Sequence, residues 1–206
     1  MKTYQRTSDI ILKTALSFFG SLDNLDLLED ELKRKDLITI PQYANYLSQI
    51  AFTIELGMKT ILLNEEAIFA VHDLELLYKK MPKGFRIMFE KTSFSKQTID
   101  SYLGKIKNIY IEFRYMITDN IEIFLENTVD KQEKVKYTKV LENKGFQFIK
   151  RLLEEVVELQ KSIYKFVDFS LLDEYTDKET SNRMLETIFE ELNKIQTSLC
   201  VIETGE

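Results

Sequence analysis

An all-helical bundle is the fold expected of this 206-residue chain, on three grounds. Apolar residues recur at helical spacing over long stretches. No segment alternates polar and apolar residues as a half-buried strand does. Turn chemistry is scarce: there are 6 Gly and 2 Pro, and neither an Asn-Gly nor an Asp-Gly pair to close a hairpin. Few, long elements follow, and 44% hydrophobic with 30% charged residues is material for a buried core.

Ile11, Ala15, Phe18 and Leu22 make the apolar face of a first helix. A second opens near Pro41, where Thr39 and Gln42 have the spacing of a capping box, and carries Tyr43, Leu47, Ile50, Ile54, Met58 and Ile61. A short helix is expected from His72-Asp73 to Met81-Pro82, because proline cannot continue it. A long fourth helix is expected after Ser93-Phe94-Ser95, with Leu103, Ile106, Tyr110, Phe113, Ile117, Ile121 and Phe124 as its stripe. Asp130 and Glu133 read as the start of another, running through Ile149, Leu152, Val156, Ile163 and Phe166 with Gly145 as a weak point. Thr176 and Glu179 repeat the capping-box spacing before a last helix with Met184, Ile188, Leu192, Ile195 and Leu199. The expected division is a bundle over residues 1–128 and a C-terminal helical pair over 129–206, packed on it or extending it.

Composition excludes several classes. The single cysteine, Cys200, can form no internal disulfide and has no metal-ligand spacing around it; this fits a reducing cytosol, with no metal or cofactor expected. Lys2 and Arg6 are followed by an apolar run that Asp9 and Lys13 interrupt, so a secretory signal is not expected. No run of about 18 apolar residues exists to span a bilayer, so a cytoplasmic protein without a membrane partner is expected.

The net charge of −6 is unevenly spread. Residues 79–107 hold eight basic residues (Lys79, Lys80, Lys83, Arg86, Lys91, Lys96, Lys105 and Lys107) against Glu90 and Asp100, a net of +6. Phe85, Phe89, Phe94 and Tyr102 are interleaved with them. Residues 152–206 hold thirteen acidic against five basic. A basic, aromatic-studded segment is the pattern of a nucleic-acid contact. The same spacing also suits Phe85 and Phe89 in a core, with the lysines on a solvated face.

Three fragments carry a family likeness: ELGMKTILL over residues 55–63, HDLELLYKKMP over 72–82 and YLGKIKNIYIEFRYMITDN over 102–120. In this order they resemble the HEPN superfamily, the small helical domains of prokaryotic defence and toxin systems, over residues 40–125 or so. The branch they look like has Glu-x-x-x-Lys in its second helix, matched by Glu55 and Lys59. It continues with a His-Asp-Leu helix, matched by His72 to Leu74, and an aromatic element before Arg-Tyr, where Tyr110 and Phe113 precede Arg114 and Tyr115. The resemblance implies a HEPN-like antiparallel bundle with a C-terminal helical extension, working as a homodimer. Residues 130–206 have no counterpart in it.

What the resemblance implies for activity turns on one departure. Catalytic members pair an Arg with a His about four to six residues on, across a homodimer and without metal; the base takes the RNA 2'-hydroxyl proton and the cation holds the phosphate. Here Arg114 is present, but the residue at the last such position is Asn120, an amide that cannot act as a base. The single histidine, His72, lies in a different motif.

The candidate site residues follow. Arg114 cannot shed its charge, and on an apolar helical face it needs a carboxylate, a phosphate or water. Glu55, at the edge of the second helix's stripe, is expected to receive it in a partly buried pair. Glu55 and Lys59 otherwise read as an exposed i, i+4 pair, His72 as a helix-start residue beside Asp73, and Tyr115 as packing. Glu55, Lys59, His72 and Tyr115, with Lys79, Lys80, Lys83, Arg86, Lys105 and Lys107, are the candidate binding residues. The function expected is a non-catalytic HEPN-like RNA- or partner-binding component of a defence, toxin-antitoxin or mobile-element system. One alternative is a metal-independent endoribonuclease with a divergent Arg114/Asn120 site at a homodimer interface, joined by His72 or Tyr115. The other is a structural or inhibitor module whose acidic C-terminal helices meet a protein partner.

Overall fold

A single long helix, buried over most of its surface, is the axis of the computed structural model, which describes residues 3–5, 8–35, 37–65, 67–69, 71–92, 94–115, 122–126, 128–163 and 177–179. Strand β1 (Thr3–Gln5) leads into α1 (Ser8–Lys33), β2 (Leu37–Thr39) and the axial α2 (Ile40–Glu65). Strand β3 (Ala67–Phe69) returns antiparallel to β1, with Tyr4 opposite Ile68. Next come α3 (Leu74–Lys80), α4 (Lys83–Thr92), α5 (Lys96–Ile106) and α6 (Ile109–Tyr115). The described chain then runs through α7 (Glu122–Leu125), β4 (Lys134–Lys136), α8 (Tyr137–Glu142) and α9 (Lys144–Ile163). Helix dominates, as expected. The departure is two short antiparallel ribbons, β1–β3 and β2–β4. In the second, Ile38 lies opposite Val135 and both are buried. Strands of three residues hold too little alternation to stand out in the sequence.

The expected start of α2 is present. Gln42 N–H donates to Thr39 Oγ1 at 3.3 Å, and Thr39 N–H donates back to Gln42 Oε1 at 3.0 Å. The stripe read from sequence is only part of what α2 buries: Ala44, Tyr46, Ala51, Thr53, Glu55 and Thr60 are buried as well. Beyond its first turn, only a stripe through Asn45, Gln49, Phe52, Leu56 and Lys59 reaches solvent among the described residues, so the helix is central, and α1, α6 and α9 pack against it. Gly57 permits the closest approach, since a Cβ there would lie 2.1 Å from Val156 Cγ1 on α9. Gln160 Nε2 donates to the Gly57 carbonyl beside it. A polar pin joins α1, α2 and α9: Glu29 Oε2 accepts from Tyr46 Oη at 2.7 Å and from Lys150 Nζ at 2.6 Å. Burial acts to raise the Glu29 pKa, but the hydrogen bonds from Lys150 and Tyr46 outweigh it and hold the carboxyl below its ordinary value.

Two expected boundaries move. The long fourth helix is divided, with α5 ending at Ile106 and α6 starting at Ile109. The Lys107 carbonyl, which a continuing helix would use, instead accepts the N–H of Leu74 at 2.8 Å. Asp130 and Glu133 start no helix. Asp130 Oδ1 accepts from the N–H groups of Gln132 and Lys134, each at 2.9 Å, and Glu133 has φ of 58°, so the segment turns into β4. The long helix begins only at Lys144, capped by Asn143, whose Oδ1 accepts from Phe146 N–H at 3.0 Å. Gly145 therefore lies in the first turn of α9, where a Cβ would meet Ile123 at 2.9 Å. Ile117, Ile121, Phe166 and the last expected helix lie outside the described residues, save 177–179, where Glu179 N–H donates to Asp177 Oδ1 at 3.1 Å.

Among the described residues no helix is long and apolar enough to cross a membrane. The aromatics of the basic segment face inward. Phe89 is buried edge-on against Tyr78 at 5.9 Å, and Phe94 and Tyr102 pack on Phe148 at 5.0 and 4.6 Å.

Candidate functional site

Glu55 projects from α2 with 1% of its side chain exposed, and its carboxylate has two partners. Lys59, one turn on and 11% exposed, brings Nζ to 2.5 Å from Oε1. His72 brings Nδ1 to 3.0 Å from both oxygens. A carboxylate can only accept, so Nδ1 carries a hydrogen, and in the neutral ring Nε2 is then the lone-pair nitrogen. The His72 side chain is 53% exposed, so this ring is braced at one nitrogen while standing half in solvent.

The local sequence explains how His72 arrives there. Asp73 is the N-cap of α3, its Oδ1 accepting from Leu76 N–H at 2.9 Å. Leu74 N–H is tied to Lys107 O, as described, which fixes the start of α3 against the α5–α6 junction. The residue just before the cap is thereby set beside α2. From α6, Tyr110 stacks on Phe52 of α2 with ring centroids 5.2 Å apart, and its ring centroid is 6.1 Å from that of His72. Arg114, one turn further along, donates from Nη1 to Tyr110 Oη at 2.8 Å and lies 5.7 Å over the Tyr115 ring. Arg114 and Tyr115 are both exposed.

Residues from three separate motifs thus meet: Glu55 and Lys59 from α2, His72 from the turn before α3, and Arg114 with Tyr115 from α6. Tyr110 joins His72 to Arg114, a role the sequence reading did not assign to it. Its i, i+4 spacing to Arg114 was the available signal. Two expectations are corrected. The Glu55–Arg114 pair is not formed, because Lys59 and His72 occupy the carboxylate and Arg114 turns outward to Tyr110. Glu55 and Lys59 are a buried pair, not an exposed one. His72 stands at the helix start as expected, immediately before the cap, Asp73. Asn120 lies outside the described residues.

The basic candidates do not join this cluster through their side chains. Lys79 is bound to Glu75, while Lys80, Lys83, Lys105 and Lys107 are exposed along α3 to α5 and Arg86 is half-buried. Among the described residues no group of His, Cys, Asp and Glu could hold a metal ion. A cleft of 1260 Å³ between α5, α7, α8 and α9 includes none of the cluster's residues in its walls. No family model, no curated protein and no solved structure matches this chain.

Chemically, the cluster offers a forked cation for a phosphate, an exposed aromatic face for a base, and a histidine whose tautomer is set by a buried carboxylate.

Proposed function

We propose that this chain is a HEPN-like protein that binds RNA through the surface formed by His72, Arg114 and Tyr115. The convergence of these residues around Tyr110 carries the reading. Arg114 keeps most of its donors for a phosphate, since Tyr110 Oη takes one of them. Tyr115, 61% exposed, presents a ring on which a base can stack, a contact worth about 1–3 kcal/mol. The homodimer and the prokaryotic defence, toxin-antitoxin or mobile-element context belong to the same proposal and rest on the motif resemblance, and the cytoplasmic setting belongs to it on the lone Cys200. Anisotropy titrations with single-stranded and structured RNA test it. Arg114→Ala with Tyr115→Ala is expected to weaken binding at least about tenfold in a folded protein. RNA affinity untouched by that double substitution, or no RNA binding at low salt, refutes the reading.

A second reading, RNA cleavage without metal, is favoured by the Glu55 contact to His72 Nδ1. It places His72 Nε2, not Asn120, as the base and Arg114 as the cation at the phosphate. Metal-free cleavage that disappears in His72→Ala while RNA binding persists is its expected result.

A further inference from the structure

We propose that the outer face of α4 docks on the surface of an anionic phospholipid bilayer. The orientation of α4 is set by its inward side: Phe89 is fully buried against Tyr78 and Phe85, one turn earlier, is half-buried. The opposite side carries Lys83, Ile87 and Lys91 in one i, i+4, i+8 row, with Gly84 and Met88 alongside, and every one of these residues is exposed. Ile87 is 36% and Met88 48% exposed, so parts of two adjacent apolar side chains reach solvent beside a row that begins and ends with lysine, with half-buried Glu90 next to Lys91. Lys80, at the end of α3, and Lys96, at the start of α5, are exposed to either side in sequence. The chain as a whole is acidic, at −6, so the positive charge is a local property of this face and would orient the molecule.

The occupant must supply negative charge around an apolar centre. An anionic bilayer does both, with lipid phosphates for the lysines and the upper acyl region for Ile87 and Met88. RNA supplies the phosphates, but it takes stacking platforms, and the α4 aromatics are turned inward. A peripheral contact needs no spanning helix, so it revises the expectation of no membrane partner while no helix among the described residues is long and apolar enough to span. It uses none of the residues on the His72–Arg114 surface and stands or falls separately from it.

Co-sedimentation of the full chain with vesicles tests the assignment. Binding is expected to phosphatidylcholine vesicles containing phosphatidylserine, to be absent with phosphatidylcholine alone, and to weaken with salt. Each lysine near such a surface contributes about fivefold in affinity, so Lys83→Glu with Lys91→Glu should lower it by well over about tenfold. Ile87→Ser with Met88→Ser should lower it by about tenfold, in a protein shown by its melting curve to be folded at the assay temperature. Equal binding to neutral vesicles overturns the proposal, as does no binding to anionic ones. Unchanged binding in the Ile87→Ser, Met88→Ser protein also overturns it, by removing the apolar half of the contact. RNA affinity that drops in Lys83→Glu, Lys91→Glu while vesicles are not bound would assign the face to RNA instead.

Discussion

Replacing Gly57 with alanine puts the crossing of α2 and α9 to a direct test. The added Cβ would lie 2.1 Å from Val156 Cγ1 and 3.0 Å from Phe18 Cε2. Carbon atoms rest at about 3.5–4.0 Å, so Val156 or the whole of α9 must retreat by roughly 1.5 Å. Val156 is fully buried and β-branched, so its side chain has one comfortable rotamer in a helix and cannot swing aside. Overpacking of this kind costs about 1–3 kcal/mol, and the shortness of the contact puts it at the upper end. Alanine returns about 1 kcal/mol of helix propensity relative to glycine. The net is a loss of about 2 kcal/mol, or a fall of roughly 4–8 °C in Tm for a chain of this size. Urea and thermal melts by circular dichroism should compare the wild type, Gly57→Ala, Val156→Ala and the double variant. Val156→Ala alone loses roughly 2 kcal/mol of buried contacts. In that background the alanine at 57 fills vacated space, so it should be neutral or stabilising, a favourable coupling of about 2 kcal/mol. A Gly57→Ala protein as stable as the wild type, or more so, would show helix propensity acting alone and refute the close approach.

Other substitutions separate neighbouring interactions. Glu55→Ala should cost about 3–5 kcal/mol by stranding the Lys59 ammonium, whereas Arg114→Ala should change stability by less than about 0.5 kcal/mol because Arg114 is exposed. Urea melts that reverse this ranking would restore the Glu55–Arg114 pair. Tyr46→Phe should cost about 1–2 kcal/mol, since Glu29 keeps Lys150 and Lys33 but loses a buried hydroxyl donor. The folded Glu29 pKa lies below its ordinary value of 4.5, so its contribution is complete above that pH and is lost as pH falls through the folded value. Asp26 is raised, first by burial and then by Glu29, and so acts in the opposite direction; its contribution is present at low pH and lost as pH rises through its folded value. Stability curves of wild type and Glu29→Gln should therefore converge on acidification below about pH 4.5, and a gap that widens there contradicts the pin.

How much of the fold was legible depended on how local its cause was. The start of α2 could be read in full, because a capping box is a reciprocal pair within one turn, formed by Thr39 and Gln42. The α5–α6 break could not be read. Its cause is the Leu74 N–H taking the Lys107 carbonyl, a contact across the fold that leaves the apolar spacing on both sides intact. Asp130 and Glu133 misled for a related reason. Aspartate caps helices and closes turns with the same short carboxylate, and the choice here appears in the positive φ of Glu133.

The cluster around Tyr110 was legible in part of its membership, Glu55, Lys59, His72, Arg114 and Tyr115, but not in Tyr110 itself or in its pairing. Each motif named a residue that belongs to the cluster, because an i, i+4 relation such as Glu55 to Lys59 survives folding unchanged. Arg114 was assigned the wrong partner, because facing across two packed helices depends on helix rotation, and that cannot be fixed by the stripe alone. The correct pairing gives the histidine a different standing. A residue read as a helix-start ornament instead has its Nδ1 held by a carboxylate that is almost wholly buried, and such a carboxylate needs more than one donor to stay satisfied. Lys59 supplies one donor and His72 the second, so His72→Asn, which can keep a donor near the Glu55 carboxylate, should hold stability close to wild type. His72→Ala should lose more, with Glu55 left to Lys59 alone. If RNA affinity survives the asparagine substitution while any metal-free cleavage is lost, the brace is structural and the free ring nitrogen is chemical.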